Sequence, residues 1–332
     1  MQLVKKYWLD VLMVLPLVAY ILGFTLLPIL TTLQESFIHQ RFGRQYDILA
    51  SKIDDIEYDI AHTADTQDKR SYAQELADTR LALQHLQDSP YAGWSLSNYR
   101  KLFTERRFLK ALGNTLAMTL MGLSLQLVLA LSIALGLRRP LYGKGFFRTL
   151  VLTPLGIPTI VSATIMTYIF DTSGYLNTVL TRLGLLGEWP IDWARGGWLS
   201  LCMVVCADTW KVLPFMVLLC LAGLEAIPQS VYEASQIDGS PAWYEFFAIT
   251  LPLMKPYITL ALILRAIDAF RIFELPLLLT GQATTPLLST FTYSEYTRQN
   301  YNLSAASGTI LTGLILLVVL TYLYIVGREN DA

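Results

Sequence analysis

Long apolar runs alternate with shorter polar stretches along this chain, and their lengths are the first thing to read. A helix that crosses a bilayer needs about 20 mostly apolar residues. Runs of that length lie near 11–33, 112–137, 149–170, 197–223, 257–280 and 307–326, which predicts six spanning helices in an all-α integral membrane protein. The first run follows Lys5 and Lys6 but is too long, and with Pro16 and Pro28 too interrupted, for a cleaved signal peptide. It is expected to remain as a membrane helix.

A different pattern separates the first two runs. From Arg44 to Asp88 the sequence is rich in Asp, Glu, Gln, Lys and Arg, with Ile53, Ile56, Ile60, Leu76, Leu83 and Leu86 at spacings of three, four or seven. That period predicts a pair of amphipathic helices, folded back near Thr63 to Thr66. The chain then divides into an N-terminus with the first helix (1–33), a helical extracytoplasmic insertion and the approach to the second helix (34–111), and a membrane core (112–332). The insertion either decorates the membrane domain or contacts an extracytoplasmic protein.

Composition fixes the solvent. Hydrophobic residues make up 54% of the chain and charged residues 15%, against about 25% charged in a soluble domain. The hydrophobic content makes the bilayer the solvent, while a net charge of −1, with a few charges of each sign confined to loops, points to no electrostatic partner and gives no reason to invoke nucleic acid. Cys202, Cys206 and Cys220 share one apolar run, where they read as packing residues and not as a disulfide framework or a metal site.

Basic residues set the expected orientation. With Lys5 and Lys6 inside, the even-numbered helices return to the cytoplasm and place Arg138, Arg139, Lys144, Arg148 and Arg328 there as well. Arg100, Lys101, Arg106, Arg107 and Lys110 then fall on the outer side, which a long translocated segment tolerates. Both termini are expected to be cytoplasmic.

One polar loop, at 224–256, stands out between the fourth and fifth runs. Glu233, Asp238, Glu245 and Lys255 cannot lie in hydrocarbon, where each would cost about 2.5–3.5 kcal/mol on insertion scales. Gly239 between Asp238 and Ser240-Pro241 predicts a turn joining two helices. Phe246, Phe247, Ile249 and Leu251 give the second helix an apolar surface, while Ala234 and Ser235 keep the first slim enough to dock in a groove. By residue types alone it is either an ordinary inter-helix loop or a docking element.

These same residues resemble the cytoplasmic signature of permease subunits of binding-protein-dependent ABC importers: Glu-Ala-Ala, three residues, Gly, nine residues, Ile, one residue, Leu-Pro. Here it stands as Glu233-Ala234-Ser235, Gly239, Ile249 and Leu251-Pro252, with Ser235 for the second Ala. Trp210-Lys211, Pro214-Phe215, Leu221-Ala222-Gly223-Leu224, Ile227-Pro228 and Tyr232-Glu233 look like the carbohydrate branch, close to the larger permease subunit of maltose and glycerol-phosphate importers. Asn98-Tyr99, Leu102-Phe103, Asn114-Thr115 and Ile267-Asp268-Ala269-Phe270-Arg271 agree with that branch, whereas about 42–90 lies outside the usual pattern.

The resemblance implies a type I importer permease that pairs with a second permease of similar fold, two ATPase subunits and an extracytoplasmic binding protein. Glu233, Ala234, Ser235, Asp238, Gly239 and Pro252 would then form the ATPase-coupling element. No Gly-x-x-x-x-Gly-Lys-Ser/Thr loop for phosphates occurs in the chain, so ATP and Mg would belong to the partner ATPase, leaving no catalytic residue and no cofactor here.

Ionisable residues inside spans mark either cavities or intramembrane pairs. Asp208 and Lys211, and Arg265, Asp268, Arg271 and Glu274, are the positions concerned. They pair, Asp208 with Lys211 and Asp268 with Arg265 or Arg271, or a subset lines a sugar path beside Tyr168, Trp210, Phe270 and Phe273, since sugars offer hydroxyls and apolar ring faces. Asp268, Phe270 and Arg271 lead that set, followed by Trp210, Lys211 and Phe273; Gly308, Thr309, Thr312 and Gly313 read as close helix packing. A permease for glycerol phosphate or a polyol, an ion-driven transporter using Asp208, Asp268 and Glu274, and a membrane scaffold remain the alternatives.

Overall fold

A computed structural model describes residues 13–38, 44–62, 66–87, 94–138, 142–187, 189–282 and 284–330. Lys5, Lys6 and Arg139 fall outside them, as do the side chains of Leu86 and Arg328 and most of the expected fold-back at 63–66. The chain divides into two compact units, 1–106 with 292–310 and 107–291 with 311–332.

The first unit holds α1 (Met13–Phe37), α2 (Arg44–His62), α3 (Thr66–Gln87) and α4 (Ser97–Thr104). α1 is long and apolar enough to cross a membrane, and none of the residues in its most apolar window is buried. The expected pair of amphipathic helices is present as α2 and α3. Ile56 is buried and Ile53, Ile60, Leu76 and Leu83 are half-buried, as the spacing predicted, and Thr79, outside that pattern, is buried as well. Lys52–Glu75 (2.7 Å) and Arg80–Glu57 (2.5 Å) bridge the two helices, but such exposed pairs each contribute under about 1 kcal/mol. Apolar spacing therefore holds this pair more than charge does.

Polar side chains close the C-terminal end of α1. Asn98 donates through Nδ2 to the carbonyls of Ser36 (3.0 Å) and Ile38 (2.9 Å), and the Ser36 and Tyr99 hydroxyls meet at 2.7 Å. Asn302 donates to the carbonyls of Glu35 (3.1 Å) and Ile38 (2.9 Å). The carbonyls left free at a helix end thus find donors.

The second unit is built around α9 (Gly197–Ala226), a helix buried on much of its surface. α5 (Arg106–Arg138), α6 (Lys144–Gly156), α7 (Thr159–Phe170) with α8 (Tyr175–Arg182), α10 (Gln229–Ile237), α11 (Ala242–Phe270) and α12 (Glu274–Thr280) complete its first part. α13 (Leu288–Thr297) and α14 (Tyr301–Asn330) are shared between the units, with residues 292–310 in the first and 288–291 and 311–330 in the second. At one end of α9, Met216, Val217, Cys220, Leu221 and Leu224 pack with Ala130, Ala134 and Leu137 of α5 and with Met254 and Ala261 of α11. At the other, Leu201, Met203, Val204, Val205 and Ala207 pack with Met118, Ala163, Met166, Leu275, Leu279 and Leu287. α9 approaches α11 so closely at Gly223 that a β-carbon there would lie 2.8 Å from Tyr257 Cβ.

Two span boundaries differ from the sequence expectation. The single helix expected at 149–170 is a pair, α6 and the α7–α8 stretch, bent by 100° at Ile157-Pro158. Pro158 has no N–H and forces Ile157 into extended backbone (φ −84°, ψ 130°), so the helix cannot run through. The helix expected at 257–280 begins earlier, at Ala242, and stops at Phe270; Arg271 to Phe273 are not helical and α12 follows.

Two π turns carry a common signature. Leu27 N–H reaches the Leu22 carbonyl and Leu251 N–H the Phe246 carbonyl, five residues back in each case. Pro28 and Pro252 come next in sequence. A proline inside a helix lacks the donor and crowds the carbonyl four residues earlier, and widening the preceding turn relieves that crowding.

Candidate functional site

The turn around Gly239 is specified atom by atom. α9 ends at Ala226, Ile227 is extended, and Pro228 opens α10. At the far end Gly239 N–H donates to the Gln236 carbonyl (3.1 Å) and Ser240 N–H to the Ser235 carbonyl (3.1 Å), with Gly239 at φ 72°. This is a Schellman closure, which places its glycine in the left-handed region. Pro241 then starts α11.

α10 has two faces. Tyr232 (3% exposed) and Ser235 (5%) turn inward, while Glu233, Ala234, Gln236, Ile237, Asp238 and Gly239 face solvent, Ile237 with 87% of its surface. Ser235, expected on the docking face, is instead the inward contact, so the smallness of that position serves packing beneath the helix. Pro252 is exposed on α11, just past the π turn. Behind α10 lies a cleft of about 460 Å³ lined by Leu135, Arg138, Gln229, Tyr232, Gln236 and Glu245 among others. The Arg138 guanidinium sits 3.9 Å from the centre of the Tyr232 ring, and the Tyr232 hydroxyl meets Thr250 Oγ1 at 3.2 Å. Near the same end, Arg148 Nη2 donates to Glu225 Oε1 at 2.8 Å.

Between the two apolar clusters of α9 lies a polar layer. Arg265 Nη2 is ion-paired with Asp208 Oδ2, and the two side chains are only 2% and 4% exposed. Gln126 donates to Asp208 Oδ2 (2.9 Å) and accepts from Arg265 Nε (2.8 Å). A buried carboxylate and guanidinium thus share one amide, which joins α5, α9 and α11. Asp208 therefore does not pair with Lys211. Lys211 Nζ donates to the Pro154 carbonyl (3.0 Å) and also to that of Ile157, capping the broken end of α6, where carbonyls lack helical partners.

Of the other expected path residues, Asp268, Phe270, Arg271 and Phe273 flank the break after α11. Arg271 donates through Nη2 (2.6 Å) and Nε (3.1 Å) to Asp268 Oδ1, an exposed pair that matches one of the two pairings expected. Phe270 is buried (5%) and offers no ring face to a solute in this conformation. Trp210 and Phe273 are half-buried, the former against the Leu201–Ala207 cluster, while Tyr168 is exposed. Ser289 Oγ donates to the Ile272 carbonyl at 2.5 Å, which holds the break, and Asn114 Nδ2 donates to the Pro286 carbonyl at 2.9 Å, which ties α5 to the segment between α12 and α13. Sequence reasoning missed Gln126 and the Arg138–Tyr232 contact. A scan of the spans for any polar residue, and not only ionisable ones, would have raised Gln126.

Comparison with known proteins places this geometry. Residues 109–329 match the family described as binding-protein-dependent transport system inner membrane component. The trehalose/maltose transport system permease protein MalF of Thermococcus litoralis is 38% identical over 245 residues, covering 73% of this chain and 81% of that protein. The trehalose transport system permease protein SugA of Mycobacterium tuberculosis is 35% identical over 261 residues, covering 77% and 81%. In fold, the chain is similar to one in the crystal structure of a bacterial alginate ABC transporter in complex with an alginate pentasaccharide-bound periplasmic protein, with TM-score 0.74, 21% identity and coverage of 100% and 98%. The run of spans, the glycine-closed turn and these matches agree: the chain belongs to the family of binding-protein-dependent transport system inner membrane components.

Proposed function

We infer that this chain is the membrane permease subunit of an ATP-driven importer that carries a carbohydrate delivered by an extracytoplasmic binding protein. The observation that carries the reading is the exposed face of α10, held by the Gly239 closure, in a chain of this family. Glu233, Ala234, Ile237, Asp238 and Gly239 form the ATPase-docking surface; Ser235 and Pro252 set its packing and angle. A second permease of similar fold and two ATPase subunits complete the assembly. ATP and Mg stay with the ATPases, and this subunit contributes motion and no catalytic residue. It resides in the inner membrane with both termini cytoplasmic.

Carbohydrate is the solute class favoured by the names of the relatives, which include trehalose/maltose, trehalose and sulfoquinovosyl glycerol permeases. Asp268 and Arg271, exposed at the break after α11, have the hydrogen-bonding capacity that sugar hydroxyls require, and Trp210 and Phe273, both half-buried, are the aromatic residues of the proposed path. The ion-driven alternative loses its best site, because Asp208 Oδ2 is already occupied by Arg265 and Gln126.

Purification of the tagged chain from its native membrane in mild detergent tests the reading. Recovery of an ATPase and a second permease, with nucleotide hydrolysis stimulated by a sugar-loaded binding protein, is expected. Recovery of the chain alone, with uptake abolished by an uncoupler and insensitive to ATP depletion, would overturn it.

A further inference from the structure

α10 is joined to its chain neighbours by turns. Ile227-Pro228 precedes it and Gly239-Ser240-Pro241 follows, so rotation of α10 need not be passed on to α9 or α11 through continuous helix. α5 lies far away in sequence. What reaches from α5 to α10 is its last residue, Arg138, whose guanidinium lies over the buried Tyr232 ring at 3.9 Å. Leu137 and Ala134 of α5 share the same apolar cluster as Tyr232. Apolar packing is non-directional and lets surfaces slide, whereas a cation seated on a ring face is held to that face by the ring quadrupole.

We propose that Arg138 is a positioning residue for coupling: its stack on Tyr232 makes α5 follow α10 when the ATPases move. The proposal rests on α10 being the ATPase-docking element. Tyr232 is the junction of two linkages, since its hydroxyl also meets Thr250 Oγ1 at the end of the Glu245–Thr250 π turn. The same ring therefore ties α10 to α5 by its face and to α11 by its edge. Arg138 touches neither solute nor nucleotide in this scheme.

The test uses the whole importer, reconstituted in proteoliposomes with its binding protein, and reads solute transported per ATP hydrolysed. In Arg138→Ala, ATPase recruitment and hydrolysis are expected to persist while transport per ATP falls about tenfold, the scale of a half-buried cation–π contact. Arg138→Lys, which keeps a cation over the ring, is expected to recover most of that ratio. Tyr232→Leu is expected to lose it to the same extent alone or combined with Arg138→Ala. A ratio unchanged in Arg138→Ala overturns the proposal. So does loss of ATPase recruitment in Arg138→Ala and Arg138→Lys alike, which would make Arg138 a docking or folding residue. If the wild-type chain recruits no ATPase, the docking reading of α10 itself fails, an outcome distinct from either.

Discussion

Arg265 of α11 and Asp208 of α9 meet in a pair removed from solvent and shared with Gln126 of α5. Removing one partner of a buried ion pair strands the other, at a cost of about 3–5 kcal/mol, whereas an apolar pair of similar size is often tolerated. Asp208→Leu alone is therefore expected to destabilise the detergent-purified chain severely, and Asp208→Leu with Arg265→Met to recover much of the loss. Thermal unfolding of the two variants beside the wild type checks this.

Lys211 holds open carbonyls at the end of α6. Lys211→Met leaves those acceptors without a donor, at a cost of about 1–3 kcal/mol. Increased labelling of a cysteine placed at Thr159 by a water-soluble maleimide is the expected readout, because the bend at Pro158 loses its clamp. Equal labelling in the variant would show that the proline alone fixes the bend.

At Gly223, even a methyl group would collide with Tyr257, whose Cβ would be 2.8 Å away. Gly223→Ala is expected to cost about 1–3 kcal/mol through overpacking, and Tyr257→Ala in the same chain to relieve part of it. Unfolding midpoints of the single and double variants decide the matter, and additive losses would contradict a shared contact.

Gly239 at φ 72° closes α10. A β-carbon in that conformation costs about 1–2 kcal/mol, so Gly239→Val is expected to reshape the turn while leaving the spans folded. The measurement is ATPase co-purification, which should fall several-fold more than the yield of the chain itself. Gly239→Asn, which tolerates the left-handed region, should lie between the two.

Legibility from sequence followed the range of each force. The amphipathic period of Ile53, Ile56, Ile60, Leu76 and Leu83 is local, and it predicted which side chains α2 and α3 turn inward. Gly239 between Asp238 and Ser240-Pro241 likewise announced its own turn. The partners of Asp208 did not follow from spacing, because Lys211 is near in sequence but Arg265 and Gln126 are near in space. Hydropathy alone also overran two breaks, at Ile157-Pro158 and at Arg271, since apolar content continues across both while the backbone hydrogen bonding does not. Ser235 shows the same limit on a smaller scale: its size could be read, but the direction it faces depends on Tyr232 beside it.

The Gln126–Asp208–Arg265 layer sits between apolar packing above and below, and that placement restricts how three helices can move. Sliding α9 along α11 by one helical turn, about 5.4 Å, would carry the carboxylate away from its guanidinium and into an apolar surround. Tilting about the level of the layer keeps the pair closed while the helix ends separate. α5, α9 and α11 are thus built as levers on a common fulcrum and not as pistons.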